Sequence, residues 1–145
     1  SNWQLSGTIH LQSGFPYTIE GNTSILGAIK ADYVGGPVLL PNPGPNGWIN
    51  KAAFKVAPDT RFGTAGAGDV RGPGLQTYNV SVARLFPILR EGTTLQFRAD
   101  FLNAFNTVNF QPFPSSSLNV SDATFGTLTS AYPARTIQLS MKLRF

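Results

Sequence analysis

The sequence contains no cysteine and a single histidine, and only 12% of its 145 residues are charged. The absence of cysteine excludes a disulfide framework and a zinc ribbon, but it leaves the cellular compartment open. The charged fraction is about half of what soluble domains usually carry. No apolar run reaches the roughly 18 residues of a transmembrane helix. No charged segment followed by an apolar one opens the chain, so either export is absent or the natural N-terminus lies upstream.

Signatures of catalysis are missing as well. His10 has no second histidine or cysteine with which it could share a metal ion. No Gly-x-Ser-x-Gly turn presents a nucleophile, and the glycine-rich segment 63–74 is not followed by Gly-Lys-Ser/Thr. We therefore expect no enzyme activity and no cofactor. The net charge of +4 comes from basic residues scattered singly, so no nucleic-acid partner is expected.

Aromatic residues, glycine and proline are plentiful, with 11 Phe, 15 Gly and 11 Pro. This profile is typical of an all-β chain with long irregular loops. Apolar and polar residues alternate with a period of two in four segments, at about 3–17, 75–86, 94–110 and 133–145. The last is the clearest, since five apolar residues follow one another at every second position: Ile137, Leu139, Met141, Leu143 and Phe145.

The length of these segments indicates a membrane-spanning β-sheet. Strands of soluble domains usually stop at about five or six residues, whereas the last segment alternates for about a dozen, or roughly 40 Å of chain. Tilted strands of that length span an apolar band about 25 Å tall. The second face is mostly Gln, Ser, Thr and Asn, which suits a wet lumen. We predict an antiparallel up-and-down meander of about four long strands, a fragment of a large transmembrane β-barrel.

The loops differ in length, and this asymmetry predicts the orientation. Residues 89–93 form a short connection, whereas about 20–74 and about 111–133 are long and lie on the opposite side. Outer-membrane barrels have short periplasmic turns and long extracellular loops. Aromatic residues also collect near both ends of the strands, as rings do at the two membrane interfaces. The long loops should therefore be extracellular, and the C-terminus periplasmic.

Five phrases of the sequence resemble the C-terminal part of TonB-dependent outer-membrane receptors, of the Oar-like branch with a carboxypeptidase-regulatory-like N-terminal domain. They are LQSGFP at 11–16, WINKAAF at 48–54, RGPG at 71–74, LQFRADFLNAFN at 95–106, and FG at 125–126 leading to PARTIQL at 133–139. Together they follow the order of the family over most of the chain. Lys51 departs from the pattern, because a proline is expected after Asn50.

The resemblance implies a 22-stranded barrel in the bacterial outer membrane, filled by a plug and energised by an inner-membrane TonB complex. The chain would supply the C-terminal part of that barrel, and the segment that contacts TonB would lie in a missing N-terminal part. The alternating strand that ends at Phe145 also resembles the signal read by the barrel assembly machinery. Implied partners are thus membrane lipid, this machinery, the TonB complex and an unknown bulky solute.

Two groups of side chains are candidates for function. His10, Arg98 and Asp100 have the parity of the polar face, so they should line the lumen, and Arg98 and Asp100 are close enough for a charge pair. This pair would support the plug or contact the solute. Tyr33, Trp48 and Phe54 fall in the long extracellular loop, where exposed aromatic residues often anchor ligands.

Two other classes of protein fit parts of the pattern. A soluble β-sandwich, such as a carbohydrate-binding or adhesive domain, would bury the apolar face against a second sheet. An independent small outer-membrane barrel is the other possibility, but the smallest such barrels have about eight strands. Four strands alone would leave two unpaired edges, which are an aggregation hazard.

Overall fold

The computed structural model describes residues 2–21, 30–88 and 92–145. The strands within these residues are β1 Trp3–Gln12, β2 Pro16–Tyr17, β3 Asp32–Tyr33, β4 Leu39–Gly44, β5 Gly47–Ile49, β6 Phe54–Lys55, β7 Val70–Arg71, β8 Leu75–Pro87, β9 Thr94–Leu102 and β10 Thr136–Arg144. Two short 3-10 helices cover Lys51–Ala53 and Ser115–Leu118. No helix in the described part of the chain is long and apolar enough to cross a membrane.

The chain divides into two compact units. The sheet unit comprises residues 1–12, 75–108 and 132–145, and the loop unit comprises residues 13–74 and 109–131. In the sheet unit the four long strands form one antiparallel sheet in the order β1-β8-β9-β10. This meander confirms the predicted all-β fold class. Within the predicted turn 89–93, residues 89–91 lie outside the described residues, and beside them the N–H of Ile88 donates to Thr93 at 3.0 Å.

Three strands are shorter than the alternation of the sequence predicts. The first ends at Gln12 rather than near Tyr17, because Pro16–Tyr17 pairs with Val70–Arg71 in a separate two-stranded sheet. The third ends at Leu102 rather than Phe110, and the fourth begins at Thr136 rather than Pro133. Alternation alone does not detect the point at which a chain leaves one sheet.

Two asparagines that follow β9 explain why this strand ends at Leu102. Asn103 and Asn106 adopt left-handed backbone conformations, with φ of 52° and 54°, which Asn tolerates better than most residues. The Asn103 side chain accepts from the Thr107 N–H at 3.0 Å and donates to the Thr107 carbonyl at 2.9 Å. These bonds close a turn immediately after β9 and end its pairing with β10.

The pairing register gives the sheet one apolar and one polar face. Leu5 pairs with Val82, Val82 with Ala99, and Ala99 with Leu139, so one row of apolar residues crosses all four strands. This apolar face is open, since the Leu5 side chain is 74% exposed and Met141 is 71% exposed. Burying one such side chain contributes roughly 1.5–3 kcal/mol. An open face of this size therefore requires an apolar environment.

The loop unit, by contrast, has a buried core of its own. Its two segments are joined at Glu20, whose N–H donates to Leu118 at 2.8 Å and whose carbonyl accepts from Val120 at 2.9 Å. The Tyr17 and Phe113 rings meet edge to face at 5.2 Å. The core consists of Ile19, Ala31, Ile49, Ala53, Phe54, Ala65, Val70, Phe113, Val120, Phe125 and Leu128. The two segments predicted as separate irregular loops thus fold together.

Glycines in the loop unit allow backbones to approach one another closely. The Gly72 N–H donates to the Phe15 carbonyl at 3.0 Å, and a Cβ on Gly14 would collide with the Gly72 carbonyl oxygen. A Cβ on Gly63 would likewise collide with the Lys30 carbonyl oxygen. The glycine-rich segment 63–74 is therefore packed against neighbouring chain, and any side chain at these two glycines would separate the backbones.

A cation in the middle of the apolar face should impair assembly of the sheet in a membrane. Leu139→Arg places a charge in the row of Leu5, Val82 and Ala99, where insertion costs about 2–4 kcal/mol. We expect a several-fold loss of folded protein in the membrane, measured by the mobility of unheated samples in SDS gels. The matched control is Gln138→Arg, one residue away on the polar face opposite Asp100. Equal loss in both variants would contradict the assignment of the two faces.

Candidate functional site

The polar face of the sheet carries a charged network at its centre, formed by Ser81, Arg98 and Asp100. Antiparallel pairing places Ser81 directly opposite Asp100, and Arg98 is two residues before Asp100 on the same face of β9. The Arg98 Nε donates to both carboxylate oxygens at 2.9 Å, and its Nη2 lies 2.8 Å from Oδ1. The Ser81 hydroxyl donates to the same carboxylate. We call these three residues the wall network.

A small polar cavity adjoins the wall network. Its volume is about 240 Å³, and it is lined by Ser6, Gly7, Thr8, Asn79, Ser81 and Arg98. The Asn79 side chain is held in place, because its Nδ2 donates to the Thr8 hydroxyl at 3.4 Å and its Oδ1 accepts from the Asn103 N–H at 3.0 Å. The cavity offers hydroxyl, amide and guanidinium groups, which can bind a polar solute or a polar protein surface. These groups do not include a nucleophile next to a general base.

His10 shares the polar face but lies apart from the wall network. It pairs with Thr77, four residues along β1 from Ser6, and this spacing corresponds to roughly 13 Å. Its Nε2 is 3.3 Å from the Gln12 side-chain oxygen. The structure therefore brings Arg98 and Asp100 together and leaves His10 separate. Among the described residues, no group of three or more His, Asp or Glu side chains could hold a metal ion.

A second charged group stabilises the loop unit. Asp32 is only 2% exposed and is bound by Arg61 in a bidentate pair, with distances of 2.7 Å and 2.6 Å. The Thr64 N–H also donates to Asp32, at 3.2 Å. The Arg61 hydrogen bonds lower the pKa of Asp32 from its ordinary value, with a smaller contribution from Lys55, while burial opposes this shift. The same pair raises the pKa of Arg61. Residues 61–64 are thereby joined to β3.

The three aromatic residues predicted as exposed loop anchors differ in their environment. Phe54 is only 5% exposed, so the prediction of exposure is wrong for this residue. Trp48 is partly buried against the loop-unit core, and its indole Nε1 donates to the Arg71 carbonyl at 3.0 Å. Tyr33 is exposed, and its ring packs 5.8 Å from the Phe54 ring. Phe54 is buried because the loop unit folds around a core of its own, and Phe54 is part of that core.

Besides Tyr33, three exposed apolar residues that were not predicted as contacts lie near Asp32 or Arg61 along the chain: Val34, Val56 and Phe62. We call these four residues the loop patch. The Phe62 side chain is 67% exposed, more than that of Tyr33. The sequence gives one indication of Phe62, which is a lone aromatic residue between Arg61 and Gly63, in a polar stretch without alternation. Exposed aromatic rings next to a charged pair can provide a contact surface for a ligand.

An antiparallel sheet of long strands, with an open apolar face and a polar face bearing a charged network, defines an integral outer-membrane β-barrel protein. Residues 1–138 match the family described as "Outer membrane beta barrel domain", and the chain belongs to this family. No curated protein and no solved structure matches the chain. Family membership confirms the barrel fragment and its location in the bacterial outer membrane. A soluble β-sandwich, an alternative that the sequence left open, does not fit this family.

Loss of the charge on Asp32 should loosen the loop unit. Because the pKa of Asp32 is lowered in the fold, its stabilising contribution is present above about pH 4 and disappears as the pH falls through the lowered pKa. Asp32→Asn should weaken protection of residues 30–34 and 61–65 against hydrogen exchange at pH 7. Acidification should then have less further effect on the variant than on the wild type.

The matched control for this experiment is Asp59→Asn, which changes an exposed carboxylate of the same unit. The pKa of Asp122 is also lowered, chiefly by the backbone N–H of Thr124, so part of the acid response should persist in the Asp32 variant. Wild-type protection in Asp32→Asn at pH 7 would show that the Asp32–Arg61 pair does not hold the loop unit together.

Proposed function

We propose that this chain is the C-terminal part of the barrel of a TonB-dependent receptor that imports a bulky nutrient, and that it catalyses no reaction. The observation that carries the proposal is the loop unit. It is a folded body with its own buried core, inserted between consecutive strands of a barrel sheet. A fixed surface of this kind suits binding of a specific solute better than an open pore does. The resemblance of five sequence phrases to this receptor class supports the same conclusion.

The edges of the sheet support a barrel larger than four strands. β1 and β10 stand at the two ends of the strand order, so each has one neighbouring strand in this sheet. Unpaired backbone groups in hydrocarbon cost several kcal/mol each, and membrane sheets therefore close into barrels. Known barrels need at least about eight strands. The missing neighbours of β1 and β10 would be further strands of the receptor, 22 in all in the class that the chain resembles.

The wall network is proposed to face the lumen and to contact the plug or the passing solute. Arg98 is half exposed even though it is paired with Asp100, so part of its guanidinium group can bind another acceptor. The neighbouring cavity adds the hydroxyls of Ser6 and Thr8. These groups form a polar wall with a fixed cation. His10 would belong to the same lumenal surface, away from this network.

The loop patch is the part of the chain that we propose for solute contact on the extracellular side. Tyr33, which the sequence already suggested, remains a candidate for solute contact. Phe62 replaces Phe54 as the second candidate, because Phe54 is buried. Trp48 contributes through its packing against the core, and its partly buried ring limits direct contact. Arg61 is neutralised by its bidentate pair with Asp32, so the exposed rings rather than a free charge would supply the contact with the solute.

Further partners follow from the same proposal. Ile137, Leu139, Met141, Leu143 and Phe145 would form the signal recognised by the barrel assembly machinery, and the first four lie exposed on the apolar face of β10. They would contact membrane lipid after insertion. TonB would bind through an N-terminal part of the receptor. The proposal includes no nucleic-acid partner. The identity of the assembly signal stays a prediction.

Dependence of uptake on TonB tests the proposal. We expect at least one bulky nutrient, from a panel of ferric siderophores, cobalamin and oligosaccharides, whose uptake requires both the intact protein and a functional TonB. The measurement is accumulation of radiolabelled nutrient in cells lacking either component. Uptake that needs the protein but proceeds normally without TonB would contradict the receptor assignment and favour a passive pore.

The loop patch can be tested with the nutrient found in that experiment. Tyr33→Ala combined with Phe62→Ala should raise the concentration for half-maximal uptake about tenfold or more, as truncation of two contact aromatics does. Phe15→Ala is the matched control, because Phe15 is another exposed aromatic residue of the loop unit. An unchanged half-maximal concentration in the double variant would remove the patch as the contact surface.

A further inference from the structure

Arg84 is a cation on the apolar face of the sheet. Arg84 on β8 pairs with Trp3 on β1 and with Phe97 on β9, so its side chain leaves the sheet on the same face as these two apolar residues. Since the chain belongs to an outer-membrane barrel family, this face lies against lipid. A cation there is costly, at about 2–4 kcal/mol in the membrane centre and about 0–1 kcal/mol near the interface.

The position of Arg84 places it near one interface. β8 ends at Pro87, three residues further on, which is roughly 10 Å along the strand. Because the strands are tilted by about 40°, the vertical distance from the Arg84 backbone to the level of the strand end is less than these roughly 10 Å. The long side chain can extend further towards the headgroups. This position near the end of β8 brings its charge towards the lipid phosphates.

Two aromatic rings hold the guanidinium group of Arg84. Its Cζ is 4.9 Å from the centre of the Trp3 ring and 4.6 Å from the centre of the Phe86 ring. Cation–π contacts are favourable within about 6 Å. Ring contacts occupy the face of a guanidinium group and leave the N–H donors in its plane available. Among the described residues, no carboxylate pairs with Arg84 and no acceptor takes a hydrogen bond from it.

We propose that Arg84, held by Trp3 and Phe86, binds the phosphate of a membrane glycerophospholipid. The planar fork of a guanidinium group matches two oxygens of a phosphate, and such charge-assisted bonds are about twice as strong as neutral ones. The acyl chains of the same lipid would lie on the exposed apolar rows of the sheet, which include Leu5 and Met141. The inference depends on membership of the barrel family and not on the proposed transport function.

Lipid retention by the intact protein tests the site. Purified, delipidated protein in detergent is mixed with a short-chain phosphatidylglycerol, and bound lipid is counted by native mass spectrometry. Arg84→Leu should bind this lipid about tenfold more weakly, the loss expected for one charge-assisted contact. Leucine suits a lipid-facing position, so this variant should still fold. Arg84→Lys should retain intermediate binding, because it keeps the charge but loses the fork.

Three controls define the outcomes. Lys142→Gln removes a cation at the same end of the sheet but on the polar face, opposite Gln96, and should leave phospholipid binding unchanged. A diacylglycerol of the same chain length should bind the wild type no better than Arg84→Leu, since it lacks phosphate. Inorganic phosphate at millimolar concentration should not displace the phospholipid. Wild-type affinity in Arg84→Leu, equal binding of diacylglycerol, or displacement by free phosphate would each overturn the proposal.

Discussion

The antiparallel register of the four long strands determines which side chains meet lipid. Leu5, Val82, Ala99 and Leu139 form one continuous row because each residue pairs directly with its neighbour across the strands. A shift of one residue in any pairing would move a whole strand's apolar set to the other face. The wall network depends on the same register, since Ser81 meets Asp100 only in this alignment. So does the contact of Arg84 with Trp3 across β1 and β8.

The two units of the chain are stabilised in different ways. The sheet unit exposes large apolar side chains and buries few, so its stability depends on the surrounding membrane and on closure of the barrel. The loop unit buries an apolar core and adds a carboxylate–guanidinium pair at Asp32, as a water-soluble domain does. A loop built in this way keeps a defined surface in water. Loop surfaces of this kind, rather than the strands that position them, commonly carry binding residues.

Much of the sheet could be predicted from the sequence, because alternation is a local signal. The opposite faces of Arg98 and Leu95 follow from it directly, and so do the bounds of β8 to within one residue. The loop unit could not be predicted in this way, since its core joins residues 13–74 to residues 109–131 through contacts distant in sequence. The burial of Phe54 and the exposure of Phe62 both result from that packing. The turn at Asn103 shortened β9 through side-chain hydrogen bonds that leave no alternating pattern.

The most direct test of the two-faced sheet is a nitroxide scan along β10. The chain contains no cysteine, so single cysteines at residues 137–143 can be labelled in the intact protein in liposomes. Collision rates with oxygen, which concentrates in lipid, should peak at residues 137, 139, 141 and 143. Collision rates with a water-soluble nickel chelate should peak at residues 138, 140 and 142. Uniform profiles, or an inverted alternation, would contradict the assignment of the apolar face to the membrane.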